Sequence, residues 1–157
     1  MKKVIYSILI ISSLFMIVGC NTVKESNNQN NKNKQEEKNT NNSNEVVKTV
    51  KATINEKEYI INLEDNETTR KFVDKLPQKL KMTDLNDNEK YANLDYTLPE
   101  ESYYPKHINT GDVMLFGNDC LVIFYKSFDT TYDYTKIGHI DNLPDLGSGN
   151  ITVKFEK

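Results

Sequence analysis

The stretch Val113-Met114-Leu115-Phe116-Gly117-Asn118-Asp119-Cys120-Leu121-Val122-Ile123-Phe124-Tyr125 decides the fold. Two apolar runs flank Gly117-Asn118-Asp119, and Gly and Asn accept the positive φ that a tight hairpin demands. The second run, Cys120 to Tyr125, contains no charged residue. A strand loses its polar alternation when both faces are covered, so this run belongs to a barrel wall or a sheet centre. The neighbouring elements are shorter and alternate. Upstream, Leu80, Met82 and Leu85 suggest a strand, Asn86-Asp87-Asn88 a turn, and Tyr91-Ala92-Asn93-Leu94 a second strand. Pro99 to His107 reads as irregular. Downstream, Asp129 to Tyr134 is a polar loop, Ile137, Gly138 and Ile140 form a short buried stretch, and Ile151, Val153 and Phe155 alternate with polar residues as a final strand.

Towards the N-terminus, Val50, Ala52 and Ile54, then Tyr59, Ile61 and Leu63, alternate on either side of Asn55-Glu56-Lys57, which predicts a hairpin. Asp65 and Asn66 can cap a helix by accepting its free backbone N–H groups. Thr69, Phe72, Val73 and Leu76 fall on one helical face, and Pro77 ends the helix. Seven or eight short strands and one helix in about 108 residues predict a mainly β domain, a compact and mostly antiparallel barrel.

The domain occupies residues 49–157. Residues 1–19 read as a signal peptide: Lys2 and Lys3 precede an apolar run from Val4 to Val18, the length of a signal core and short of the ~20 residues of a spanning helix. Ile17-Val18-Gly19-Cys20 resembles the lipobox of bacterial lipoproteins. That resemblance implies a lipid on Cys20, which becomes the new N-terminus, and hence a lipid-anchored protein on the extracytoplasmic face of the cell membrane. Residues 20–48 read as a disordered tether, since ten of the twenty-five residues from Asn21 to Glu45 are Asn and no apolar period exists before Val46. Its mean span as a flexible coil is about 30 Å.

The chain has 20 Lys+Arg and 23 Asp+Glu, for a net charge of −3. Two of the Lys lie in the signal, and five Lys with four Glu lie in the tether. The domain therefore keeps 13 basic and 19 acidic residues, or −6. Such a domain is too acidic for nucleic-acid binding through a basic face, and anionic lipid would repel it, so attachment is expected to rest on Cys20. Two Cys are too few for a disulfide framework, a Cys₄ zinc site or an iron–sulfur cluster. No metal, no cofactor and a monomer are expected.

Several strings resemble the bacterial cyclophilin-like family: Phe72-Val73-Asp74-Lys75-Leu76-Pro77, Met82 through Tyr91, Asn109-Thr110-Gly111-Asp112-Val113-Met114-Leu115-Phe116-Gly117, Leu121 through Phe128, and Thr131 through Asp141. The resemblance spans the domain in order and implies a closed barrel of about eight strands with a helix at one end. Cyclophilins hold and twist a prolyl peptide with an Arg and a Phe on one strand, a Gln, a Trp and a His. This chain has one Arg, Arg70, on the outer helix face, and no Trp. The expected function is therefore a binding module for a peptide or small ligand. A diverged prolyl isomerase, or another enzyme using the same groove, is the alternative.

For the site itself, Tyr125, Phe128, Tyr132 and Tyr134 crowd within ten residues. Tyr offers an apolar face and a hydroxyl, which suits a ligand groove. The expected groove is Tyr125, Asp129, Tyr132, Tyr134 and His139, with Tyr91, Tyr103 and Tyr104 as possible additions from other loops. The other reading of the same rings is that they cover the barrel end and hydrogen-bond loop backbone. No catalytic residue is assigned. Cys120 lies in the most apolar run and reads as a small core side chain. His107 and His139 are 32 residues apart in no known metal spacing. The carboxylates Asp129 with Asp133, and Glu100 with Glu101, read as solvated loop groups.

Overall fold

The computed structural model describes residues 47–157. The signal, nearly all of the tether and Cys20 lie outside the described residues. Ten strands and one helix follow in order: β1 (Thr49–Ile54), β2 (Lys57–Leu63), α1 (Glu67–Asp74), β3 (Gln78–Leu85), β4 (Glu89–Asn93), β5 (His107–Ile108), β6 (Asp112–Phe116), β7 (Cys120–Phe124), β8 (Phe128–Asp129), β9 (Thr135–Ile140) and β10 (Ile151–Glu156). Eight of them close a barrel in the order β1-β10-β3-β4-β7-β6-β9-β2, and β5 pairs with β8 as a separate two-stranded flap. All pairings are antiparallel. The mainly β barrel expected from the strand pattern is thus what forms. Two strands were not anticipated, because a two-residue strand has no alternation to detect.

The local signals act as chemistry dictates. Asn55 and Glu56 both take positive φ, which makes the two-residue hairpin between β1 and β2. Asn66 caps α1, its Oδ1 accepting from the Thr69 N–H at 2.8 Å. Asn66 Nδ2 donates to the Lys136 carbonyl at 2.7 Å, which fastens the helix start to β9. Leu76, expected on the buried helix face, follows the end of α1 and packs partly buried against the core. Among the described residues no helix is long and apolar enough to cross a membrane.

Two apolar cores result, one on each side of the wall. Inside the barrel sit Ile54, Ile61, Leu115, Leu121, Ile123 and Phe155, with Phe72 of α1 set edge-on against Phe155 at 5.7 Å. Each fully buried side chain of this size contributes about 1.5–3 kcal/mol. Outside the wall, Met114, Val122, Phe124, Ile108 and Tyr134 form a second core beneath the flap. The double coverage of β7 inferred from its sequence has this cause: Leu121 and Ile123 point in, while Val122 and Phe124 point out to the flap.

Candidate functional site

The flap is held by backbone. His107 opposes Asp129 and Ile108 opposes Phe128. Tyr103 and Tyr134 exchange N–H to carbonyl bonds of 2.9 and 3.0 Å, and the Thr130 N–H donates to the Lys106 carbonyl at 2.9 Å. Phe124 lies under Phe128 and Tyr134, at 5.6 and 5.5 Å between ring centres. Tyr134 meets Phe116 at 5.7 Å, and Phe116 meets Tyr132 edge-on at 5.8 Å. This chain of rings leaves a groove of about 460 Å³ between the flap and the outer faces of β4, β6 and β7. Phe116 and Tyr132 remain 45% and 61% exposed at its mouth.

Of the residues singled out in the sequence, Asp129, Tyr132 and Tyr134 line this groove. Tyr125 and His139 do not. Tyr125 falls in phase with Leu121 and Ile123 and therefore turns into the barrel, where it is 2% exposed. Its hydroxyl donates to Asp84 Oδ1 at 2.7 Å, and burial, then this bond, pushes the hydroxyl's pKa up. His139 sits on β9, away from the flap, with Nδ1 3.0 Å from the buried Asp112 carboxylate and Nε2 3.7 Å from Asp141. Of the additional tyrosines, Tyr91 lines the groove, while Tyr103 and Tyr104 are exposed outside it.

Cys120 also departs from its expected place. It points outward with Val122, is half-buried, and lines the groove. Burial, with Asp119 and Glu89 adding to it, pushes the thiol up to about 11. It is therefore protonated at neutral pH and a poor nucleophile. His107 pairs with Asp129 at the flap surface, Nδ1 to Oδ1 2.7 Å. Among the described residues no group of three or more His, Cys, Asp and Glu could hold a metal ion.

Two groups escaped the sequence reading. Glu89 is partly buried on the groove wall, one residue before the wholly buried Lys90. Burial, with the charge of Asp84 second, raises its carboxyl to about 7. The signal that could have found it is the phase of β4, where Lys90 and Ala92 turn in and Glu89 and Tyr91 must turn out. Lys90 itself donates to Asp84, to the Gly147 carbonyl at 2.5 Å and to the Gly149 carbonyl at 2.7 Å, and lies 4.7 Å from the Tyr125 ring centre.

Comparison with known proteins agrees with this architecture. Residues 52–156 match the model of the cyclophilin-like family. The solution structure of the hypothetical protein AF2241 from Archaeoglobus fulgidus is similar, with a TM-score of 0.52 and 21% identity over 69% of this chain and 92% of that one. At that identity the likeness is one of fold. No curated protein matches the sequence. The family match covers two-thirds of the chain and all of the barrel but the first three residues of β1, and the chain belongs to the cyclophilin-like family.

Proposed function

We propose that the protein is a lipid-anchored extracytoplasmic lipoprotein whose cyclophilin-like barrel binds a peptide segment or small ligand in the groove between the flap and the β4-β7-β6 wall. The observation that carries the binding role is the apolar, ring-lined groove on the outside of the barrel, with Phe116 and Tyr132 left open at its mouth. Its size is that of small-ligand pockets, which run about 300–1,000 Å³. Tyr and Phe supply large contact area at low cost in side-chain freedom.

The groove is not equipped like a prolyl isomerase. That reaction gains from a fixed donor aimed at the twisted amide nitrogen. The one Arg of the chain, Arg70, lies on α1 in an exposed pair with Asp65, and no Lys, Arg or His lines the groove. The barrel carries its own closed core within residues 47–157, so this piece suits solution assays. A neutral apolar dye, Nile red, is expected to bind it at one site, and Phe116→Ala with Tyr132→Ala is expected to weaken that binding at least about tenfold, roughly two buried ring contacts. A protease-coupled proline isomerisation assay on the same piece is expected to show no acceleration. Acceleration lost on Tyr132→Ala would make the enzyme reading correct.

Anchoring rests on the lipobox-like Ile17-Val18-Gly19-Cys20 and not on charge, because the mature side chains sum to −5, which anionic headgroups repel. Two acyl chains suffice for stable attachment where one is marginal. Cys20→Ala is expected to move the protein from the membrane fraction to the soluble one. Retention in the membrane would refute the lipid anchor.

A further inference from the structure

Resting on the groove reading above, we propose that the occupant is a small organic cation, an alkyl- or aryl-ammonium ion whose charge meets the Glu89 carboxylate and whose carbon body lies against Tyr91, Phe116, Tyr132 and Tyr134. The groove wall carries two carboxylates, Glu89 and Asp129, and no basic side chain. Asp129 already has His107 at 2.7 Å and projects into solvent at the flap surface. Glu89 has neither a hydrogen bond nor an ion pair among the described residues. Its neighbour Lys90 cannot neutralise it, because Lys90 turns into the barrel and its three N–H groups are taken by Asp84, Gly147 and Gly149. The charge that raises the Glu89 carboxyl is Asp84, of the same sign.

A partly buried carboxylate with no partner of its own gains from a cation that meets it. The rings favour the same partner, since the face of each aromatic ring attracts a cation. The negative domain, −6 in all, adds a field of the same sign preference. A volume of about 460 Å³ suits a small molecule better than a folded partner.

The pH dependence follows from the same group. Glu89 acts among Asp84 on β3, Cys120 on β7, Asp129 on β8, Tyr132 and Tyr134 beyond β8, and Tyr91 on its own strand. With its carboxyl near 7 in the empty groove, Glu89 is partly protonated at neutral pH. A cation binds the ionised form only, so affinity rises with pH and levels off above 7. For a quaternary ammonium, whose charge does not titrate, the rise from pH 5.5 to 8 is about thirtyfold.

The test uses the full-length protein in nonionic detergent and isothermal titration calorimetry. Its probes are choline, benzyltrimethylammonium and the neutral choline isostere 3,3-dimethylbutan-1-ol. Both cations are expected to bind, the alcohol at least tenfold more weakly than choline, and Glu89→Gln is expected to weaken choline at least tenfold while preserving the melting transition. The pH profile and the isostere comparison use the natural protein, so they decide the matter even if Glu89→Gln fails to fold. Equal binding of choline and the alcohol, a flat pH profile, or unchanged affinity in a folded Glu89→Gln overturns the cationic occupant. Uptake of a Lys-bearing peptide with neither ammonium bound overturns it too. In those cases Nile red still binding residues 47–157, and weakening on Phe116→Ala, leaves the groove reading standing. Loss of dye binding as well brings down both.

Discussion

Lys90→Met is expected to lower the unfolding free energy by up to about 3 kcal/mol, the low end of the cost of removing one partner from a buried ion pair, because the Asp84 side chain keeps some contact with solvent. Lys90 is wholly buried, and its ammonium serves three acceptors: the Asp84 carboxylate and the carbonyls of Gly147 and Gly149. Met keeps the length and the apolar stem but offers no donor. Asp84 then retains the Tyr125 hydroxyl and the backbone N–H of Asp87, and the carbonyls of Gly147 and Gly149, both exposed residues, lose their ammonium partner. The loss is a large share of the ~5–15 kcal/mol that holds a domain together. Urea titrations of residues 47–157 measure it directly. A loss under about 1 kcal/mol would mean that Lys90 reaches water, contrary to its burial.

Two controls sharpen the result. Lys90→Met with Asp84→Leu removes both charges, so the double variant is expected to recover the share of the loss that comes from the unpaired carboxylate, but not the share from the Gly147 and Gly149 carbonyls, and it leaves the Tyr125 hydroxyl without its acceptor. The second control is pH. The hydrogen bond from Lys90 first, and that from Tyr125 second, hold the Asp84 carboxyl below its ordinary value. A carboxyl with a lowered folded pKa contributes stability that is complete above its unfolded value and disappears as pH falls through the folded one. The natural protein therefore loses this contribution in acid. In Lys90→Met the unpaired Asp84 takes a proton more readily, so the gap between the two proteins narrows as pH falls below about 4.

How much of this was legible in the sequence depends on whether a signal was local. Asn55-Glu56 and Asn66 are local signals: a positive φ and a cap act on their own few residues, and β1, β2 and α1 stand where those residues put them. The run Cys120 to Tyr125 told that β7 is covered twice but not which side each residue faces, because alternation vanishes when every residue is apolar. Tyr125 was assigned to the groove on nearness in sequence. Its phase with Leu121 and Ile123 sends it inward instead. His139 failed for a related reason: its partner Asp112 is 27 positions away, on β6, and only the register of β6 against β9 brings them together. The flap strands of two residues carry no period at all, although they place Asp129 and Tyr132 at the groove. Lys90 reads as surface by type, and only the inward phase it shares with Ala92 argues otherwise. The cyclophilin-like resemblance supplied the closure of the barrel, which pairs strands far apart in sequence.

Gly111→Ala is expected to cost on the order of 4 kcal/mol, joining about 1–3 for a side chain in an unfavoured backbone region to about 1–3 for an overpacked contact. Gly111 has φ +95, and a Cβ there would lie 2.1 Å from the Ile140 carbonyl oxygen and 3.0 Å from His139 Cε1. The oxygen belongs to backbone and cannot swing aside. The same residue stitches two strands: its N–H donates to the Phe124 carbonyl at 2.7 Å, and its carbonyl accepts from the Ile140 N–H at 2.8 Å. Relief of the clash must part β9 from the start of β6 and strain both bonds. Gly117→Ala is the matched control, with φ +59 and open space around the added methyl, so it carries only the backbone cost of about 1–2 kcal/mol. The difference between the two variants in urea isolates the steric share. Phe124 supports the ring chain of the groove through Tyr134 and Phe128. Gly111→Ala should therefore weaken Nile red binding while Gly117→Ala leaves it unchanged. Equal stability of the two variants would show that β9 yields to the methyl and that the stitch at Gly111 does not fix the wall behind the groove.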